Sequence, residues 1–176
     1  MKSKKQNKLT IALLLVYILL LIGVILFKLP FNSAGTERIR VINLIPLYGS
    51  FDDNGVILFS EITYNILLFI PLGIYICMLK SGWPFMKKAL MIIGLSLTFE
   101  VIQFIFAIGR TDITDILSNT LGGIIGIGIY ALLFKTFKIK TVKIVNVLML
   151  TITICVVLCF AFLFYLSHFV MRHPSL

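Results

Sequence analysis

Long apolar runs separated by short polar segments make up most of this chain. The runs cover residues 9–27, 61–78, 89–108, 111–134 and 144–170. Most of them match or exceed the ~20 residues that an α-helix needs to cross a bilayer core. The pattern therefore predicts an all-α fold, a polytopic membrane helical bundle of about five transmembrane helices. Because little chain lies outside the runs, we expect residues 1–176 to form a single transmembrane domain.

The polar breaks predict where the chain turns. Residues 28–60 are rich in Asn, Gly, Asp, Ser and Pro, which are turn formers. We expect there a structured loop on the membrane surface, with a re-entrant turn as one form of it. Pro71 and Gly73 predict a kink near the middle of the second helix. Gly109 to Thr111 predicts a tight turn, after which Thr111 or Asp112 can cap the fourth helix.

The basic residues predict the orientation in the membrane. Placing the N-terminus in the cytoplasm puts eleven of the sixteen Lys and Arg residues in inner segments, as the positive-inside rule requires. These are Lys2, Lys4, Lys5, Lys8, Lys80, Lys87, Lys88, Lys135, Lys138, Lys140 and Lys143. We expect an uncleaved first helix, since its apolar run is longer than that of a signal peptide. The alternative is four spanning helices, with part of the fifth run lying flat on the membrane.

Composition agrees with a multi-pass protein of the cell membrane. Hydrophobic residues make up 60% of the chain, charged residues only 13%, and the net charge is +9. The lysines lie in clusters between apolar runs and do not form a groove with interleaved aromatic residues, so we expect no nucleic-acid partner. The three cysteines lie inside apolar runs, which predicts no disulfide framework. The sequence predicts no cofactor, and neither histidine has the spacing of a metal ligand.

Polar residues inside the apolar runs fall on helical spacings and define the candidate site. Each set covers one narrow face of its helix, and in the predicted topology all three lie toward the outer side. The sets are Glu61 with Asn65, Glu100 with Gln103, and Asp112 with Asp115 and Asn119.

Glu100 is the strongest functional candidate among them. A carboxylate facing lipid at the bilayer centre costs ~3 kcal/mol or more, so it normally faces the bundle interior and has a partner. Helical rise places Glu100 ~13 Å below Gly109. Arg110 is the nearest cation in sequence, although Asp112 or Asp115 competes for it. The interpretation is a polar chamber that holds a zwitterionic or phosphate-bearing headgroup.

Structural roles compete with this interpretation. Asp112 can be only a helix cap, and Glu61 can be an interface residue. Asn65 and Asn119 can be interhelical hydrogen-bond partners. A small-residue stripe on the fourth helix favours close packing inside the bundle over dimerisation; it consists of Ser118, Gly122 and Gly126.

Four blocks of residues resemble the VanZ-like family of membrane proteins. They begin at Asn43, Asn65, Glu100 and Gly109, and their sequences are NLIPL, NILLFIPLG, EVIQ and GRTDITDILSNTLGG. The resemblance covers residues 40–134; the first and fifth helices are too generic to add to it. The site residues it carries over are Asn43, Pro46, Asn65, Pro71, Gly73, Glu100, Gln103, Arg110, Asp112, Asp115 and Asn119.

The resemblance implies tolerance to teicoplanin, a lipid-tailed glycopeptide antibiotic, without supplying a reaction. The first hypothesis is binding of a membrane lipid, a lipid-linked cell-wall precursor or the antibiotic itself at Glu100, Arg110 and Asp115. One alternative is an intramembrane enzyme that modifies a headgroup, with Glu100 and Asp115 as acid and base, or with a divalent ion held by these two and Asp112. A second alternative is a small proton-coupled transporter. The sequence leaves the oligomeric state open.

Overall fold

A computed structural model describes residues 4–26, 42–48, 59–107 and 111–172. In these ranges the chain is helical apart from short turns and two strands of two residues each, so the predicted all-α bundle is confirmed. The elements are α1 (Lys4–Leu26), β1 (Ile42–Asn43), α2 (Phe59–Leu79), α3 (Phe85–Phe106), β2 (Thr111–Asp112), α4 (Ile113–Phe137), a 3-10 turn (Lys138–Lys140) and α5 (Thr141–Arg172).

Four stretches of the described chain are long and apolar enough to cross a membrane. They are Gln6–Ile25, Phe59–Leu79, Phe85–Phe106 and Ile113–Cys159. The last stretch has 47 residues and joins α4 to the first part of α5. At 1.5 Å per residue it would reach ~70 Å as one helix, more than twice the bilayer core. The five predicted helices are therefore present, and two of them share one apolar stretch.

The predicted helix limits are too short at the lysine-rich ends. The first helix starts at Lys4 and the third at Phe85, so Lys87 and Lys88 are helical instead of lying in a loop. Lysine is a good helix former, and its long stem can lie along apolar surface while the ammonium reaches the headgroups. Pro84 sets the start of α3, because it occupies the N-cap with an extended backbone.

Glycines bring α2 and α4 into the most extensive helix contact of the described structure. A Cβ atom added at Gly122 would overlap the carbonyl of Ile66, and one added at Gly126 would overlap the carbonyl of Ile70. Gly73 on α2 meets the backbone of Gly123 in the same way. Small residues permit such backbone approach in membrane bundles, which confirms packing of this stripe inside the bundle.

Contacts between distant helices fix which helix ends lie together. Gln103 Nε2, near the end of α3, donates to the Ile25 carbonyl near the end of α1, at 3.1 Å. Near the two helix starts, Thr10 Oγ1 donates to Asn146 Oδ1 of α5 at 3.0 Å. The carboxylates of the described chain thus share one end of the bundle, here called the acidic end, and its lysines share the opposite, basic end. The cytoplasmic N-terminus stays a prediction that this separation favours.

Candidate ligand-binding site

A two-residue parallel bridge builds the centre of the site at the acidic end. Ile42 pairs with Thr111, and Asn43 pairs with Asp112. This bridge brings the Asn43 side chain onto the residue that starts α4. Asn43 Nδ2 donates to Asp112 Oδ2 at 2.8 Å, and both side chains are buried. Asn43 Oδ1 in turn accepts the Ile45 amide at 3.1 Å, which fixes the turn after β1.

Asp112 is the N-cap of α4, as predicted. Its Oδ1 accepts the amide of Thr114 at 2.8 Å. With Oδ2 held by Asn43, each carboxylate oxygen of Asp112 has a donor. A carboxylate at a helix N-terminus is also favoured by the helix dipole. The cap and the site are therefore not alternatives, because the capping contact also places Asp112 against its neighbours.

Glu100 accepts a hydrogen bond from the backbone of Asp112. The distance from Asp112 N to Glu100 Oε2 is 3.0 Å, and Glu100 is only 2% exposed. Thr111 Oγ1 also donates to the Glu100 carbonyl at 3.3 Å. The start of α4 thus lies at the level of Glu100 on α3. The sequence predicted Glu100 to lie ~13 Å below Gly109 by helical rise. Asp112, only three residues after Gly109, nevertheless contacts Glu100 directly.

A second polar pair links α2 to α4 beside this centre. Asn65 Nδ2 donates to Asp115 Oδ1 at 2.7 Å. Both residues are half-buried, so they can be reached from outside the bundle more readily than Glu100. Glu61, one turn before Asn65, lies half-buried in the first turn of α2. Asn65 and Asp115 form the outer part of the site, and helical spacing places Glu61 on the same face of α2 as Asn65.

The polar strip continues one turn deeper between α3 and α4. Asn119 Nδ2 donates to Ser96 Oγ at 3.0 Å, and both residues are buried. Within the described residues, Asn119 Oδ1 and Gln103 Oε1 are buried acceptors without a donor. Such groups cost free energy unless water or a ligand meets them.

Comparison with known proteins matches most of this chain to one family. The family model described as VanZ/LLP1 matches residues 14–138. The chain belongs to the VanZ/LLP1 family. It is also 40% identical to Protein VanZ of Enterococcus faecium over 130 residues, which cover 73% of this chain and 77% of that protein. No solved structure matches the chain.

The VanZ/LLP1 match spans every predicted site residue from Asn43 to Asn119. Together with the apolar helices it establishes a multi-pass protein of the cell membrane. The resemblance stated from the four sequence blocks is thereby confirmed. Thr10 and Asn146, which join α1 to α5, both lie outside the region that the VanZ/LLP1 model matches.

The structure joins most of the predicted VanZ/LLP1 site residues into one network. Asn43, Glu100 and Asp112 form its buried centre, whereas Gln103 turns its amide nitrogen to α1. Arg110 lies outside the described residues. No three Asp, Glu, His or Cys side chains of the described chain are grouped as they would be around a metal ion, so the hypothesis of a divalent ion held by Glu100, Asp112 and Asp115 gains no support.

Three hydroxyl residues of this VanZ/LLP1 site were missed by sequence reasoning. Thr114 Oγ1 accepts the Leu47 amide at 2.9 Å, Thr111 binds the backbone of Glu100, and Ser96 binds Asn119. Ser96 is four residues before Glu100, so helical spacing alone places it on the same face of α3. Thr111 and Thr114 gave no such signal, because their partners depend on how the chain turns back from α3 and on where the segment after β1 meets α4.

Proposed function

We propose that this protein contributes to tolerance of teicoplanin and related lipoglycopeptides by binding an amphiphilic or lipid-linked ligand at the acidic end. Glu100, Arg110 and Asp115 carry this outward-facing site. Membership of the VanZ/LLP1 family supports the resistance role. The observation that carries the binding role is the polar network itself, built inside an otherwise apolar bundle.

The network divides into a rigid support and an accessible rim. Buried carboxylates are expensive and need fixed partners, and Glu100 has the Asp112 amide at 3.0 Å. Asp112 in turn holds the first turn of α4 in place. The adjacent Asn65 and Asp115 are half-buried, so a headgroup that reaches the rim meets polar atoms already in position. Preorganised polar groups of this kind give binding sites their specificity.

Ligand titration with matched variants tests the proposal. The purified protein in lipid nanodiscs is titrated with teicoplanin and, separately, with a lipid-linked cell-wall precursor. Asp115→Asn removes a charge from the rim, and hydrogen bonds to charged groups contribute ~1.5–3 kcal/mol. We therefore expect its Kd to rise about tenfold or more, because ~1.4 kcal/mol corresponds to a factor of ten. Glu100→Gln should weaken binding by loosening the support.

Thr98→Val is the control, because Thr98 is an exposed α3 residue whose hydroxyl binds only its own helix, at the Gly94 carbonyl. It should bind like the unchanged protein and preserve tolerance in cells. If neither compound binds, or if Asp115→Asn and Glu100→Gln keep full affinity and full tolerance, the binding proposal is wrong. A lipid or precursor profile that changes on deletion of the gene would instead favour the enzyme alternative.

A further inference from the structure

An apolar crevice opens on the side of the bundle directly beside the polar network. It has a volume of about 290 Å³ and lies between α2 and α4, under the turn that follows β1. Its roof is Pro46 and Leu47. Its walls and floor are Ile62, Ile66, Thr114, Leu117, Ser118 and Leu121. We call this space the side crevice.

The lining of the side crevice is almost entirely apolar and has few groups that can form hydrogen bonds with water. Its two hydroxyl groups both bind within the protein: Thr114 Oγ1 accepts the Leu47 amide at 2.9 Å, and Ser118 Oγ donates to the Asp115 carbonyl at 3.2 Å. Purely apolar cavities of ~150 Å³ stay dry and take up apolar molecules. The side crevice is larger than that, and it opens from helices that cross the membrane, so hydrocarbon is its natural occupant.

The same turns of α4 carry both the side crevice and the polar rim. Thr114 and Ser118 face the crevice, whereas Asp115, between them in sequence, binds Asn65 of α2. The Ser118 hydroxyl binds the Asp115 backbone carbonyl, so the Asp115 side chain keeps its own contact with Asn65. A molecule with its polar end at the rim therefore has an apolar channel for its tail within one helical turn, or ~5.4 Å.

The roof of the crevice is held in an unusual backbone conformation. Leu47 has φ of 67°, which costs a residue with a side chain about 1 kcal/mol or more. The hydrogen bond that its amide donates to Thr114 Oγ1 compensates for part of this cost and fixes the turn above the opening. The opening therefore has an edge at Leu47 that is fixed by this contact.

We propose that the side crevice binds one acyl chain of the amphiphile whose polar end occupies the rim. This inference rests on the proposed function and adds to it the chemical class of the ligand, an acyl-bearing amphiphile. Affinity then depends on the tail as well as on the headgroup, since each buried CH₂ adds favourable apolar burial.

A crevice-filling variant with a matched control tests this assignment. Leu121 and Leu132 are both exposed leucines of α4, at 48% and 68%, but only Leu121 lines the crevice. Each is changed to Trp in the full-length protein in nanodiscs. The probe is phosphatidylglycerol with a photoreactive diazirine on one acyl chain, and the labelled peptides are mapped by mass spectrometry.

We expect the label to concentrate on the crevice segments of α2 and α4. It should fall about fivefold in Leu121→Trp and stay unchanged in Leu132→Trp, with teicoplanin competing for the labelled position. If gel filtration shows that Leu121→Trp is not folded, the test is repeated with Leu117→Trp. Uniform labelling of all exposed faces of α4 would overturn the assignment. Undiminished labelling in both Leu121→Trp and Leu117→Trp would overturn it as well.

The two proposals fail separately. If Asp115→Asn binds teicoplanin and precursor with unchanged affinity, the proposed function fails at its rim. If Asp115→Asn loses affinity while Leu121→Trp and Leu117→Trp keep both the label and the affinity, the rim stands and only the acyl assignment to the side crevice is wrong.

Discussion

Alanine should be less well tolerated at Gly126 than at Gly128, although both glycines lie on α4. A Cβ at Gly126 would overlap the Ile70 carbonyl and lie 3.2 Å from the Gly73 Cα, whereas a Cβ at Gly128 meets nothing within 4 Å. Both changes gain the same ~0.8–1 kcal/mol of helix propensity. Only Gly126→Ala must also push two helix backbones apart, and overpacking typically costs ~1–3 kcal/mol.

The difference between the two variants therefore isolates the packing cost of the α2–α4 contact. We expect Gly128→Ala to be neutral or slightly stabilising, and Gly126→Ala to be less stable than Gly128→Ala by ~1–3 kcal/mol. For a chain of this length 1 kcal/mol corresponds to about 2–4 °C in Tm. The separation in Tm should thus be at least ~2 °C.

Cys77 supplies the assay for this experiment. Its side chain is buried on α2 at 3% exposure, whereas Cys155 and Cys159 are exposed. With Cys155 and Cys159 changed to Ser, a thiol-reactive dye reports Cys77 as the bundle opens on heating in detergent. Equal Tm values for Gly126→Ala and Gly128→Ala would refute the close backbone approach of α2 and α4.

Two further predictions concern buried polar contacts. Asn43→Ala should lower stability by ~1–3 kcal/mol, because it leaves Asp112 Oδ2 without the donor it has at 2.8 Å; a Tm like that of the unchanged protein would contradict it. Thr10→Val should cost ~0.5–1.5 kcal/mol by removing the bond to Asn146 while leaving ligand affinity unchanged, and Thr151→Val, whose hydroxyl binds only its own helix, is its control. Loss of affinity in Thr10→Val would show that the α1–α5 contact reaches the site.

Local spacing predicted the helices and the grouping of polar residues on one face of each helix, because both depend on periodicity. Glu100 and Gln103 share a face of α3 by spacing alone, and the cap role of Asp112 follows from its residue type. The joining of Asn43 to Asp112 could not be derived from spacing, since the two residues are 69 positions apart. The hydrogen bond from the Asp112 amide to Glu100 also could not be derived from spacing, because it depends on how the chain turns back from α3 to α4.

The predicted ends of the helices were wrong for a different reason from the missed contacts of the site. An apolar run predicts where a helix meets lipid, whereas the helix itself continues wherever backbone hydrogen bonding continues. Lys4 and Lys87 are thus helical although they follow no apolar pattern. Thr114 was missed for a third reason, since a threonine in the first turn of a helix is common and its role depends on the Leu47 amide that meets it.

The bond between Thr10 and Asn146 has a consequence for the order in which the protein is made. It joins residues 136 positions apart, so α1 is in the membrane long before its partner has been synthesised. Until α5 has been made, the Thr10 hydroxyl has a hydrogen-bond acceptor in its own helix, the Gln6 carbonyl at 2.9 Å. Asn146 reaches a bilayer in which both of its partners are already present, the Thr10 hydroxyl as donor to its Oδ1 and the Gln6 carbonyl as acceptor for its Nδ2. Docking of α5 onto α1 therefore closes the bundle as a late step of biogenesis.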